Sequence, residues 1–147
     1  MASALELELF DEEFEAVQRL DEAQRWKLVR DTEVPLGVYV LVHPIVAPED
    51  CYKARIRWTN YFGPFSLKFV NLKDGRDDDP TAWPCCYGFR PSSRDVCLPL
   101  TAEGHQLHPE WSRSKANAFP SVELPMQHAL LWLQHCLDTS YTGRGRP

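Results

Sequence analysis

Between Cys51 and Trp58 apolar and polar side chains alternate without a break, and no other stretch constrains the fold as tightly. Tyr52, Ala54, Ile56 and Trp58 fall on one side, Lys53, Arg55 and Arg57 on the other. Successive side chains of an extended strand point to opposite faces, so this pattern describes a strand with one buried and one wetted face. Such a strand needs partners, and its neighbours supply them. Val38-Tyr39-Val40-Leu41-Val42 is β-branched and aromatic and closes at His43-Pro44, while Phe65 to Val70 repeats the alternation. Thr59-Asn60-Tyr61-Phe62-Gly63-Pro64 carries turn chemistry between them. The order predicts an antiparallel meander of about four strands.

Helical periodicity flanks the meander. From Ala4 to about Asp31, Leu7, Phe10, Phe14 and Val17 recur at three- and four-residue steps, and Arg25 to Leu28 continue the helix after a bend. Pro35 and Gly37 end it. A last helix starts near Val122, with Ser121 as N-cap, Pro125 in the first turn and Met126, Leu130, Leu133 and Leu137 as its apolar stripe. The expected class is α+β: an N-terminal helix, the meander, a long irregular loop and a C-terminal crossing helix. Residues 1–138 form one domain, and 139–147, ending Gly143-Arg144-Gly145-Arg146-Pro147, form a disordered tail.

A chain of 147 residues buries enough surface to fold without a disulfide or a metal. Its net charge of −5 argues against non-specific nucleic-acid binding. Glu6, Glu8, Asp11, Glu12, Glu13 and Glu15 precede the first basic residue, Arg19, and form either a solvated helix face or a dock for a basic partner. Met1 to Leu9 lack the marks of a signal peptide, and no apolar stretch approaches the ~20 residues of a membrane span, so the expectation is a cytoplasmic protein with no membrane contact. Five cysteines, an odd number without secretory context, read as reduced thiols.

The chemistry-bearing residues gather after the meander. Lys73 to Pro80 is a solvated loop, and Thr81 to Arg94 is aperiodic and long enough to expect a function of it. Val96-Cys97-Leu98-Pro99-Leu100 is an apolar island, followed by a polar insertion from Thr101 to Ser121. By its surroundings alone Cys97 reads first as a small buried hydrophobe and only second as a nucleophile. Cys85 and Cys86 are the competing thiols, with loop packing as their plain role. His105, His108, Cys85, Cys86 and Cys97 have zinc-ligand chemistry, but no Cys-x-x-Cys pair exists, so neither a metal nor a cofactor is expected. His128, His135 and Cys136 fit helix surface and core packing. Trp83, Tyr87, Phe89 and Trp111 read as core lids, and Phe62 and Phe65 as interface residues.

Taken in order, these elements resemble the ubiquitin-conjugating (E2) fold over roughly Leu20 to Leu137. Tyr52 to Phe69 is similar to the family's two central strands, with Tyr61-Phe62-Gly63-Pro64-Phe65 in the place of its Tyr-Pro-Phe-x-Pro-Pro turn. Arg94-Asp95-Val96-Cys97-Leu98 resembles the family's Gly-x-Ile-Cys-Leu active-site run. Trp111 falls where the family has a tryptophan, and Met126 to Leu137 matches the crossing helix. Tyr87-Gly88-Phe89 stands in the place of the His-Pro-Asn motif, so the Asn that supports the oxyanion is absent. The last two helices typical of eukaryotic members are missing too. The chain looks most like divergent bacterial members, which are found beside an activating enzyme and a modifier and are linked to antiviral defence.

The resemblance implies a transferase. Cys97 would accept a ubiquitin-like modifier from an E1-like activating enzyme as a thioester and pass it to an amine of a protein target. Arg94 would favour the thiolate and Asp95 oppose it. His105 or His108 would take the acceptor's proton or replace the Asn at the oxyanion. The alternatives are a non-catalytic binding or scaffold module of the same fold, and a metal-binding protein.

Overall fold

The structure, a computed structural model, describes residues 2–147. Helix α1 (Ala4–Val17) opens on a capping box: the Ser3 hydroxyl accepts from Glu6 N–H, and the Glu6 carboxylate accepts from Ser3 N–H, both at 3.1 Å. Its buried face is Phe10, Glu13 and Val17. The expected stripe is therefore rotated: Leu7 stays exposed, and an acid occupies the line between two apolar residues.

The helix also stops sooner than its periodicity indicated. A short 3₁₀ turn at Asp21–Arg25 reverses the chain, and Lys27–Arg30 form strand β1 instead of more helix. Tertiary anchors override local propensity here. Arg25 makes a bidentate pair with Asp138 (2.8 and 2.9 Å), and Trp26 Nε1 donates to Gln134 (2.9 Å).

Strands β2 (Gly37–Val42), β3 (Tyr52–Trp58) and β4 (Phe65–Val70) complete a four-stranded antiparallel sheet in the order β1-β2-β3-β4. Ile56 sits opposite Val38 on one side and Leu67 on the other, and Trp58 faces Phe65. The alternation decides the faces as expected. Val38, Val40, Tyr52, Ala54, Ile56, Leu67 and Phe69 are buried, while Lys53, Arg55 and Arg57 line the open face. Phe65, read as an interface residue, is 2% exposed and packs on Trp58 and Trp132; Phe62 is 42% exposed.

The long crossing helix α3 (Pro125–Ser140) contributes Met126, Leu130, Leu133 and Leu137 to the core. It begins later than Val122, and Ser121 does not cap it. Its first turn is capped from a distance instead. Glu13 of α1, 6% exposed, accepts from Met126 N–H (3.1 Å) and Gln127 N–H (2.7 Å), and Tyr61 donates its hydroxyl to the same carboxylate. Burial, together with that carboxylate, pushes the Tyr61 phenol far above its ordinary pKa, so it remains a donor.

Two short ladders organise the stretch expected to be irregular. Strand β5 (Pro84–Cys85) pairs with β8 (Gly143–Arg144), and β6 (Phe89–Arg90) pairs with β7 (Asp95–Val96). The tail expected to be disordered is thus partly tied down. Gly145 N–H donates to Trp83 O (2.8 Å), Thr142 N–H to Cys85 O (2.9 Å), and the Arg144 guanidinium lies over the Tyr52 ring at 4.3 Å. Among the described residues, no helix is long and apolar enough to cross a membrane.

Candidate active site

The β6–β7 hairpin is held in place by its inward face. Phe89 and Val96 lie opposite each other and are buried, with the Phe89 ring 5.8 Å from Phe69 and 6.1 Å from Trp132. Its turn places Arg94 in the left-handed region (φ 56°), where Lys68 Nζ donates to the Arg94 carbonyl at 2.9 Å. Directly opposite side chains of an antiparallel pair share a face. Arg90 and Asp95 therefore share the outward face, joined by two bonds of 2.6 and 2.7 Å.

Cys97 extends this ladder by one pair, since its N–H donates to the Gly88 carbonyl at 2.9 Å. Two residues beyond Asp95, it returns to the same outward face as the ion pair and is half-buried. Gly88 opposite it has φ 80°, and a Cβ there would lie 2.5 Å from the Leu98 side chain. The Leu98 side chain therefore fills the space that a larger residue opposite Cys97 would take. After Cys97 the chain is fastened by Thr101. Its buried hydroxyl lies within hydrogen-bond reach of the Val96 and Leu98 carbonyls and accepts from Gly104 N–H (3.1 Å), capping helix α2 (Ala102–Leu107).

The two histidines lie on this downstream segment. His105 Nε2 is 2.6 Å from Pro99 O; a carbonyl only accepts, so Nε2 carries a proton, and Nδ1 presents a lone pair when the ring is neutral. His108 stacks on Trp111 at 4.4 Å and reaches Glu110 at 3.1 Å through Nδ1. Neither ring is hydrogen-bonded to Cys97 among the described residues. Arg94, expected to act on the thiolate, directs its guanidinium to its own turn at Ser92 O (3.4 Å). The cation brought beside Cys97 is Arg90. Asp95, with a smaller contribution from Cys97, holds its guanidinium above the usual value. A hairpin signal at Pro91-Ser92-Ser93-Arg94 would have revealed the pairing of Arg90 with Asp95, but four polar residues in a Pro-rich loop also fit many other turns.

The competing thiols sit differently. Cys86 is buried, and burial pushes its thiol up to about 12; burial likewise pushes Cys136 up to about 11. Both are poor thiolates at neutral pH. Cys85 lies in β5, where its carbonyl accepts from the tail. No group of three or more His, Cys, Asp or Glu side chains among the described residues is placed to hold a metal, so the five zinc-type residues do not converge. Tyr87, expected as a core lid, is instead 80% exposed, whereas Trp83 and Phe89 are buried.

Two grooves flank α3. One of about 200 Å³ lies between α1 and the Phe62 turn, lined by Leu9, Ala16, Phe62 and Leu124 together with Glu12 and Glu123. Another of about 550 Å³ is lined by Pro120, Leu131 and Trp132, and includes His128 and His135. Cys97 lines neither. No protein-family model matches the chain, and no curated protein or solved structure is significantly similar to it.

Proposed function

We propose that this protein is a conjugating enzyme with a ubiquitin-conjugating (E2-like) fold, carrying a ubiquitin-like modifier as a thioester on Cys97. What carries this reading is the position of Cys97. It is a half-buried thiol on the outward face of a short hairpin, between the meander and the crossing helix; Cys86 is buried, and burial leaves both Cys86 and Cys136 poorly ionised. The Cys97 thiolate attacks the modifier's C-terminal carbonyl on the activating enzyme. A carbon–sulfur bond forms to Cys97, the bond to the donor cysteine breaks, and the donor leaves as a thiolate. A target amine then attacks the new thioester and loses its proton, and the Cys97 thiolate departs. In the neutral ring, with Nε2 donating to Pro99 O, His105 Nδ1 suits the role of acceptor for that proton. The activating enzyme would meet the groove beside Phe62, where the remaining acids of α1 favour a basic surface.

The test is charging with an adenylating activating enzyme and a ubiquitin-like modifier from the same genome, plus ATP. Wild type gives a thiol-reducible adduct, Cys97→Ser gives a reductant-stable ester, and Cys97→Ala gives neither. A reducible adduct that survives Cys97→Ala refutes the assignment.

A second reading, a non-catalytic binding module of the same fold, is favoured by one observation. Phe89, which an ungapped comparison sets in the place of the family's oxyanion Asn, is buried and offers no polar atom. Native-state alkylation separates the two, because an inert Cys97 supports the module and a rapidly alkylated Cys97 supports the enzyme.

A further inference from the structure

Thioester exchange at Cys97 places negative charge twice, on sulfur before attack and on the former carbonyl oxygen afterwards. The polar groups of the surrounding segments are mostly committed. Lys68 Nζ is bound to the Arg94 carbonyl, the Arg94 guanidinium to Ser92 O, and His105 Nε2 to Pro99 O. Phe89 brings no polar atom. Arg90 differs from all of these. Asp95 takes its Nε and one terminal nitrogen, Nη2, and among the described residues Nη1 donates to no protein acceptor.

The register supplies the direction. Arg90 lies opposite Asp95, Gly88 lies opposite Cys97, and the outward face therefore carries Arg90, Asp95 and Cys97, with the Leu98 side chain against the glycine at the fourth corner. The bidentate contact fixes the guanidinium plane, so an N–H is already oriented before anything binds. It also neutralises Asp95, which on its own would repel a thiolate from two residues away.

We propose that Arg90, oriented by Asp95, is the charge-stabilising residue of the Cys97 site, serving the thiolate before attack and the oxyanion of the tetrahedral intermediate after it. The inference rests on the thioester reading above. The electron balance is simple. The carbonyl π pair moves to oxygen as the new carbon–sulfur bond forms and returns as the old one breaks, while Arg90 keeps its proton throughout. Asp95 is a positioning residue.

The experiment compares alkylation of Cys97 by neutral iodoacetamide and anionic iodoacetate on the full chain, read by peptide mass spectrometry. Wild type reacts with iodoacetate faster, relative to iodoacetamide, than free glutathione does. The thiolate fraction cancels in this ratio, which reads only the local charge met by the anionic reagent, so Arg90→Gln lowers it about fivefold. Arg90→Lys restores most of it. Asp95→Asn separates charge from aim: the iodoacetate ratio rises because a negative charge is gone, yet thioester charging slows because the guanidinium is no longer held.

An Arg90→Gln protein with intact near-UV circular dichroism and a ratio within about twofold of wild type overturns the proposal. Charging of Arg90→Gln at the wild-type rate overturns it while leaving the thioester reading in place. Failure of every form to charge at Cys97 removes that reading and the inference with it.

Discussion

Glu13 offers the most direct test of how this fold is held. Its carboxylate is nearly inaccessible and receives three donors: Met126 N–H at 3.1 Å, Gln127 N–H at 2.7 Å, and the Tyr61 hydroxyl. The two amides belong to the first turn of α3, where no intrahelical partner exists and Leu124 supplies no side-chain cap. Glu13→Ala removes all three acceptor contacts. A lost cap costs about 1 kcal/mol, and each buried donor left unsatisfied costs about 1–3 kcal/mol. Water entering the cavity recovers part of this, so the expected loss is about 3–4 kcal/mol. For a chain of this size that lowers Tm by roughly 10–15 °C. Glu13→Gln keeps one good acceptor and loses about half as much, on the order of 1.5–2 kcal/mol. Tyr61→Phe deletes one donor, and the double variant Glu13→Ala/Tyr61→Phe is less destabilised than the sum, because Tyr61 no longer lacks a partner. Urea unfolding followed by far-UV circular dichroism measures all four. If Glu13→Ala falls within about 0.5 kcal/mol of wild type, the cross-helix cap contributes nothing and the reasoning is refuted.

Asp138 gives a pH-dependent test. The hydrogen-bonded Arg25 guanidinium, with Ile45 N–H and Gln134 assisting, holds its carboxyl below the ordinary value. A depressed folded-state pKa contributes stability above the unfolded value of about 3.9, and that contribution is lost as pH falls through the folded value. Asp138→Asn should therefore be less stable than wild type by about 1 kcal/mol at pH 7, and the gap in urea midpoint should narrow as the pH falls below about 3.9. A third test concerns the tail. A Cβ at Gly145 would lie 2.2 Å from Pro80 O, so Gly145→Val should unzip β8 from β5. Hydrogen exchange across residues 81–86 would then accelerate by about tenfold, as after deletion of 141–147, while the four-stranded sheet keeps its protection.

The meander was legible because its signal is local. An extended chain sends alternate side chains to opposite faces, so Tyr52 to Trp58 and Phe65 to Val70 declare their faces without knowledge of their partners. The end of α1 was not legible. Arg25 to Leu28 carry residues a helix accepts, and they become a turn and strand through Asp138, Gln134 and the pairing with β2. The same holds for the tail, whose glycines and arginines look unstructured until β5 and Tyr52 are beside them.

In the candidate site the division is sharper. Sequence order alone singled out Cys97 and placed His105 and His108 downstream of it. It could not foresee that His105 spends Nε2 on Pro99, that Arg94 turns away, or that Arg90 is the cation on the face of Cys97. The chain by itself determined strands β2 to β4, their buried face and the crossing helix, because periodic burial is written residue by residue. Only the tertiary structure decided which charges meet. Glu13 with the first turn of α3, and Arg90 with Asp95 beside Cys97, are pairs whose energy depends on distance and burial, and neither quantity exists until the chain has folded.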